Sequence, residues 1–158
     1  MSMTYRKATI SDIELLAQTR AIFISEVKGI TDDDRQRLYS ACKEYFDESM
    51  RNDSFVSFLA FDGETLVGTS GICFYRVPPS IHDGKLNDGM RAYIQNMFTC
   101  PTYREQGIAS HLFEMTIQEA KRRNCHTLTL NATAMGRPIY TKFGFTDTRD
   151  DMEYFLEE

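Results

Sequence analysis

The run Ala92-Tyr93-Ile94-Gln95-Asn96-Met97-Phe98-Thr99-Cys100-Pro101-Thr102-Tyr103-Arg104-Glu105-Gln106-Gly107-Ile108-Ala109-Ser110-His111-Leu112-Phe113-Glu114-Met115 decides the fold. Residues 92–99 read as a strand that Pro101 stops, and a Gly-containing turn leads into a long helix over about 108–124. Ala109, Leu112, Phe113, Ile117 and Ala120 recur at helical spacing and form its inward stripe. Between strand and helix, Arg104-Glu105-Gln106-Gly107-Ile108-Ala109 keeps the backbone bare at Gly107 and Ala109. The first N–H groups of a helix lack internal partners, and the helix dipole adds positive potential there. Such a turn seats a phosphate or pyrophosphate, and Arg104 adds a charge with fork geometry. The same turn also reads as an ordinary strand–helix connection. Neither G-x-G-x-x-G nor a G-K-[ST] ending is present, so the full nucleotide fingerprints are missing.

Upstream, a short strand over 4–8 precedes a capping box, Ser11-Asp12-Ile13-Glu14, that opens a helix ending at Gly29. Thr31 starts a second helix with Asp32, Asp33 and Asp34 in its first turn. Its stripe of Leu38, Ala41, Cys42, Tyr45 and Phe46 runs to about Met50. From Phe55 the period changes: 55–61 and 65–75 are strands around the Asp62-Gly63 turn, with Gly68 and Gly71 marking a bulge or close packing. Residues 76–91, with Pro78-Pro79, Asp83-Gly84 and Asp88-Gly89, read as a loop. Downstream come a strand over 127–130, a short helix over 137–143, and a closing strand pair at 145–147 and 152–156. This order, βααβββαβαββ, predicts one α/β (α+β) domain across 1–158. Its central sheet is mixed and mainly antiparallel, with about seven strands flanked by four helices.

Composition narrows the function. With 42% hydrophobic residues, 9 Gly and 4 Pro among 158, the chain has a core for one domain and no disordered tract. Its 18 Lys and Arg against 23 Asp and Glu leave a charge of −5, and no basic arm stands out, so nucleic acid is excluded as a partner. No apolar run approaches a membrane span and the N-terminus lacks a signal-peptide core, so no membrane partner and a cytoplasmic location are expected. The four cysteines show no C-x-x-C, and the three histidines have no zinc-ligand spacing. No metal is expected, and the cysteines read as reduced, buried thiols.

Arg104-x-x-Gly107-x-Ala109, after a strand and opening a long helix, resembles the Q/R-x-x-G-x-G/A motif of the GCN5-related N-acetyltransferases. Gly136-Arg137-Pro138-Ile139-Tyr140-Thr141-Lys142-Phe143-Gly144-Phe145 is similar to that family's second signature, a short helix with Tyr ahead of Gly-Phe. The element order fits along nearly the whole chain. The resemblance implies transfer of an acetyl group from acetyl-CoA, the co-substrate, to a primary amine of a small molecule by direct attack. It implies that main-chain N–H groups of Arg104, Glu105, Gln106, Gly107, Ile108 and Ala109 hold the pyrophosphate, with Ser110 a further donor. It also implies that the strand before the turn bulges and splays from the fifth strand. Backbone groups of Met97, Phe98 and Thr99 would then pair with the pantetheine arm, and the N–H of Phe98 or its neighbour would serve as oxyanion donor. Asn131 would touch the cofactor from the other wall, and Lys142 and Arg137, both weaker candidates, would meet the adenosine phosphates. Tyr140 would be the general acid that protonates the departing thiolate.

The general base stays unassigned. Where many relatives carry a Glu on the strand before the turn, this chain offers Gln95 and Asn96, amides that accept no proton near neutrality. An amine of pKa near 10.4 costs about 4 kcal/mol to present neutral at pH 7.4. Glu26 and Asp151 are candidates acting through water. The resemblance puts the acceptor near the first two helices and the loop joining the last two strands. Asp32, Asp33, Asp34, Asp147, Asp150 and Asp151 lie there, and acids at a cleft would attract a cationic amine. The same acids equally suit a helix N-terminus and a turn. Many relatives are dimers, so a homodimer is compatible. The alternative on the same scaffold is a non-catalytic acyl-CoA-binding or sensing module: Tyr140 favours the enzyme, while Gln95 and Asn96 keep the module in view.

Overall fold

The computed structural model describes residues 2–148 and 150–156. β1 (Met3–Lys7) leads through a 3-10 turn, Ile10–Asp12, into α1 (Ile13–Lys28) and α2 (Asp32–Arg51). β2 (Phe55–Asp62) and β3 (Thr65–Arg76) form a hairpin, and β4 (Ser80–His82) and β5 (Lys85–Asn87) a smaller one. β6 (Met90–Thr99) passes through a second 3-10 turn, Pro101–Tyr103, to α3 (Ile108–Arg122), followed by β7 (Thr127–Leu130) and α4 (Arg137–Lys142). The main sheet runs β1-β2-β3-β6-β7, antiparallel except for the parallel pair β6 and β7. No helix among the described residues is long and apolar enough to cross a membrane.

β2 joins the two cores. Its alternation sends Val56, Phe58 and Ala60 to the face packed by Ile108, Leu112 and Phe113 of α3. Phe55 and Leu59 go to the other face, against Leu16 and Ala17 of α1 and Cys42 and Phe46 of α2. The sheet is thus covered on both sides. Gly71 of β3 is there for contact: a Cβ would lie 2.7 Å from the Phe55 ring.

The mixed, mainly antiparallel α/β fold with four helices is as read from the sequence, and three details differ. The main sheet has five strands; the other two are β4 and β5, which form inside the expected loop around the left-handed Asp83-Gly84 turn. The expected closing pair at 145–147 and 152–156 does not form. Among the described residues β7 has no partner on its outer side, so no ladder receives that segment, and Met152, Tyr154, Phe155 and Leu156 stand exposed. The first capping box sits two residues earlier than expected. Thr9 N–H donates to Asp12 (2.7 Å), and Arg6 grips the same carboxylate at 2.7 and 2.8 Å, holding it below the usual carboxylate range. Thr31 caps α2 as expected, accepting from Asp34 N–H at 3.1 Å.

An ion cluster around the buried Glu119 ties the end of α3 to the rest of the domain. Glu119 accepts from Arg122 (2.6 Å) and Arg123 (3.0 Å) and lies 3.7 Å from Lys7 of β1. Arg123 also reaches Asp53 at 2.8 Å and covers the Phe74 ring at 4.1 Å. The Arg122 hydrogen bond, above all, lowers the Glu119 carboxyl to about 2. A folded-state pKa below the unfolded value stabilises the fold above pH 4.5, and that stabilisation drains away as pH falls towards 2. Glu119→Gln should therefore cost about 2 kcal/mol at pH 7 and flatten the loss of stability between pH 5 and 2. Urea unfolding across that range, with equal slopes for variant and wild type, would contradict this.

Candidate active site

The centre of the site is a bulge in β6. Gln95 stands opposite Gly71 and Phe98 opposite Thr69, so the single Ser70 of β3 faces both Asn96 and Met97. Asn96 takes a left-handed backbone (φ 57), a conformation asparagine tolerates better than most residues. Thr69, fully buried, donates its hydroxyl to the Asn96 carbonyl at 2.8 Å and holds the bulge. The parallel ladder with β7 pairs Arg91 through Ile94 with Thr127 through Leu130 and ends there. Residues 95–99 therefore have no strand on that side. This is the bulge and splay that the sequence resemblance implies, with Met97, Phe98 and Thr99 along the opened margin.

The turn follows directly. Arg104 donates Nε–H to the Thr99 carbonyl at 3.1 Å, which fixes its guanidinium beside the end of β6. Glu105 (φ 62) and Gly107 (φ 81) are both left-handed, and Gly107 caps α3. A Cβ on Gly107 would meet nothing within 4 Å, so the space in front of the helix start is open. The first helical bond runs from His111 N–H to the Gly107 carbonyl, which leaves the N–H groups of Ile108, Ala109 and Ser110 without helical acceptors. Buried Ile108 anchors the turn to the core. Arg104, Glu105, Gln106, Gly107, Ile108, Ala109 and Ser110 thus lie on one continuous turn with spare donors, a fit for a diphosphate.

Tyr140 lies on α4 with 9% of its surface exposed, its ring 5.0 Å from that of Phe113. It lies so close to Gly136 that a Cβ there would be 3.0 Å from the hydroxyl. Burial pushes its phenol above the usual tyrosine range, so it stays protonated at neutral pH. Its hydroxyl has no hydrogen-bond partner among the described residues. Asn131, just past β7, and Lys142, at the end of α4, stand exposed. Arg137 pairs with Asp147 and braces α4.

On the opposite side, between β6 and the α1–α2 layer, a cavity of about 270 Å³ is lined by Arg20, Leu38, Ala41, Cys42, Tyr45, Phe46, Gln95 and Asn96. The bulge brings consecutive residues, Gln95 and Asn96, to this one cavity. Gln95 donates to the Tyr45 hydroxyl at 3.1 Å, and Arg20 reaches Asn96 Oδ1 at 3.5 Å. One helical turn beyond Arg20, Phe23 packs on Phe98 at 5.3 Å. Burial, above all, raises the Cys42 thiol and the Tyr45 phenol. Among the described residues, the lining contains no carboxylate. Of the acids expected to attract a cation, Asp32 and Asp34 pair with Arg35 and Arg37, Asp147 pairs with Arg137, and Asp150 and Asp151 are exposed. Glu26, too, is outside the lining. A larger cavity, about 520 Å³ between Lys7, Met50 and Phe55, shares no residue with the turn or the bulge, so size alone does not mark the site. Arg20 and Tyr45 escaped the sequence reading. The available signal was a cation at position 20 on the same stripe as Leu16 and Ala17.

With this geometry in hand, comparison with known proteins is direct. Residues 21–145 match the acetyltransferase (GNAT) family, and the chain belongs to it. A predicted acetyltransferase with acetyl-CoA from Clostridium acetobutylicum is 35% identical, with a TM-score of 0.84 over 98% of this chain and 97% of that one. A GCN5-related N-acetyltransferase from Ralstonia eutropha JMP134, 23% identical, shares the fold with a TM-score of 0.84 over 98% and 99% of the two chains. The uncharacterized N-acetyltransferase YedL of Escherichia coli (strain K12) is 27% identical over 115 residues, which are 70% of this chain and 65% of that protein. The family's co-substrate is acetyl-CoA.

Gly107→Ala forces a side chain into a left-handed conformation at a cost of about 1–2 kcal/mol. The turn reshapes to relieve that strain, and CoA affinity should fall about tenfold, since 1.4 kcal/mol is a factor of ten. Calorimetric titration with CoA reads this, and an unchanged affinity would remove the turn from the binding site.

Proposed function

We propose that this chain is an N-acetyltransferase that transfers an acetyl group from acetyl-CoA to the primary amine of a small molecule by direct attack. The observation that carries the reading is the junction of two features: donors left free on the turn from Arg104 to Ser110, and a β6 margin opened next to it by the Asn96 bulge. In this reading the turn holds the diphosphate, and Met97, Phe98 and Thr99 receive the pantetheine arm. Asn131 lines the other wall, and Lys142 meets the adenosine phosphates. The N–H of Phe98 faces the thioester carbonyl and stabilises charge as it develops on that oxygen.

The amine nitrogen attacks the carbonyl carbon, the C–S bond breaks, and the acetyl group leaves on nitrogen. Tyr140 gives its proton to the sulfur and regains one, through water, from the nitrogen. Burial suits it to this role by keeping the phenol protonated. Among the described residues no carboxylate or imidazole lines the cavity beside the bulge, and in this reading the enzyme captures the neutral fraction of its amine.

Tyr140→Phe should reduce kcat by about 100-fold while leaving CoA affinity intact, the magnitude usual for a lost general acid. An unchanged kcat would take the acid role from Tyr140. Free-thiol release across an amine panel tests the activity itself: CoA binding without turnover of any amine would favour the acyl-CoA-binding module. For a turned-over amine, log kcat/KM should rise with pH at a slope near one up to the amine's own pKa. A bend in the carboxylate or imidazole range would reveal a base that this reading lacks.

A further inference from the structure

Most of the described arginines have an acid partner; Arg76, Arg91 and Arg104 do not, but none of them lines the cavity beside the bulge, whereas Arg20 does. Arg6, Arg35, Arg37, Arg51, Arg122, Arg123 and Arg137 each have a carboxylate partner. Arg20, half-buried at the cavity wall, has none among the described residues; its one hydrogen bond is the long contact of 3.5 Å to Asn96 Oδ1. Asn96 itself is 6% exposed, and its Nδ2 is buried without a partner. A buried amide N–H left unpaired costs roughly 1–3 kcal/mol, and native proteins seldom leave one so. Two unsatisfied donors, one of them a full charge, therefore share one cavity. The Tyr45 hydroxyl accepts from Gln95 and keeps its own proton to donate. No described group on the lining offers a compensating negative charge: Leu38, Ala41 and Phe46 are apolar, and burial, above all, raises the Cys42 thiol.

We infer that the acceptor carries a carboxylate, bound by the Arg20 guanidinium and Asn96 Nδ2, so that the substrate is a free amino acid. A planar carboxylate matches the guanidinium fork, and its single charge balances the single uncompensated cation. The dimensions agree. Asn96 and Phe98 are two residues apart across the bulge, closer than the roughly 7 Å of a regular strand, so an anion held at Asn96 leaves an amine a few bonds away near the Phe98 N–H. Phe23 against Phe98 closes the same end of α1 over that point. A cavity of about 270 Å³ takes a molecule of amino-acid size. The charge of the lining is opposite to what the exposed aspartates had suggested. This inference rests on the acetyltransferase reading and names the substrate class of that site.

The test uses the full chain with acetyl-CoA. L-Alanine, L-methionine, L-phenylalanine and β-alanine are each run beside the corresponding carboxamide, with O-phosphoethanolamine and spermidine as further arms, and thiol release is followed. The carboxylates should exceed their carboxamides in kcat/KM by on the order of 10–100-fold, the usual worth of a charge-assisted hydrogen bond. Arg20→Gln should erase that preference mainly through KM, with the carboxamides moving less than about threefold. Asn96→Asp retains the tolerance for a left-handed backbone but sets a like charge at the anion, and it should cut carboxylate turnover more than carboxamide turnover. Equal rates for acid and amide, a spermidine preference, or an Arg20→Gln variant that slows both alike would overturn the assignment. So would preference for O-phosphoethanolamine over every carboxylate. Calorimetry with CoA separates the two levels: no CoA binding sinks the acetyltransferase reading, whereas CoA binding and amine turnover without anion preference sink only this one.

Discussion

The left-handed backbone of Asn96, in the middle of a strand, is the constraint on which the rest of the molecule turns. Such a dihedral costs on the order of 1–3 kcal/mol, and it persists here because Thr69 binds the Asn96 carbonyl and the surrounding strands bury both residues. From it follow the end of the β6–β7 ladder, the open margin along Met97 to Thr99, and the pairing of Gln95 with Asn96 on one cavity wall. Both halves of the candidate site, one facing α3 and one facing α1, are made by the same extra residue.

The neighbouring turn answers a different demand. Glu105 and Gly107 bend the chain so that α3 starts immediately after β6, and the helix offers its unpaired N–H groups where the strand ends. The arginines divide accordingly. Those at the end of α3 and on α2 are satisfied by neighbouring acids and hold structure together, whereas Arg20 faces a cavity wall that contains no acid.

The sequence made legible whatever depends on neighbours a few residues away. Gly107 at the start of a helix, Thr31 as a cap, Gly29 as a stop and the strand run at 55–61 are local chemistry, and they read correctly. The strand-to-helix connection from Arg104 to Ser110 belongs to that group. Tertiary features were harder. A three-residue hairpin such as β4–β5 has too few positions to show a period, and the bulge at Asn96 appears only when β3 supplies the register. The apolar run at 152–156 has a strand's composition, but composition alone recruits no neighbour. The first capping box slipped because Arg6, on a different element, chooses Asp12. Arg20 was passed over because a single cation on a helix of 16 residues resembles a solvent-facing charge until the opposing strand is in place.

Burial also governs the sulfur chemistry of the domain. Cys42, Cys73, Cys100 and Cys125 are all free, and burial is the leading cause that raises each thiol above its ordinary range. Thiolate is the reactive form, so at neutral pH none of the four is a ready nucleophile. A thioester held beside such a protein meets no sulfur eager to take its acyl group, and a freed coenzyme thiol finds none with which to form a mixed disulfide.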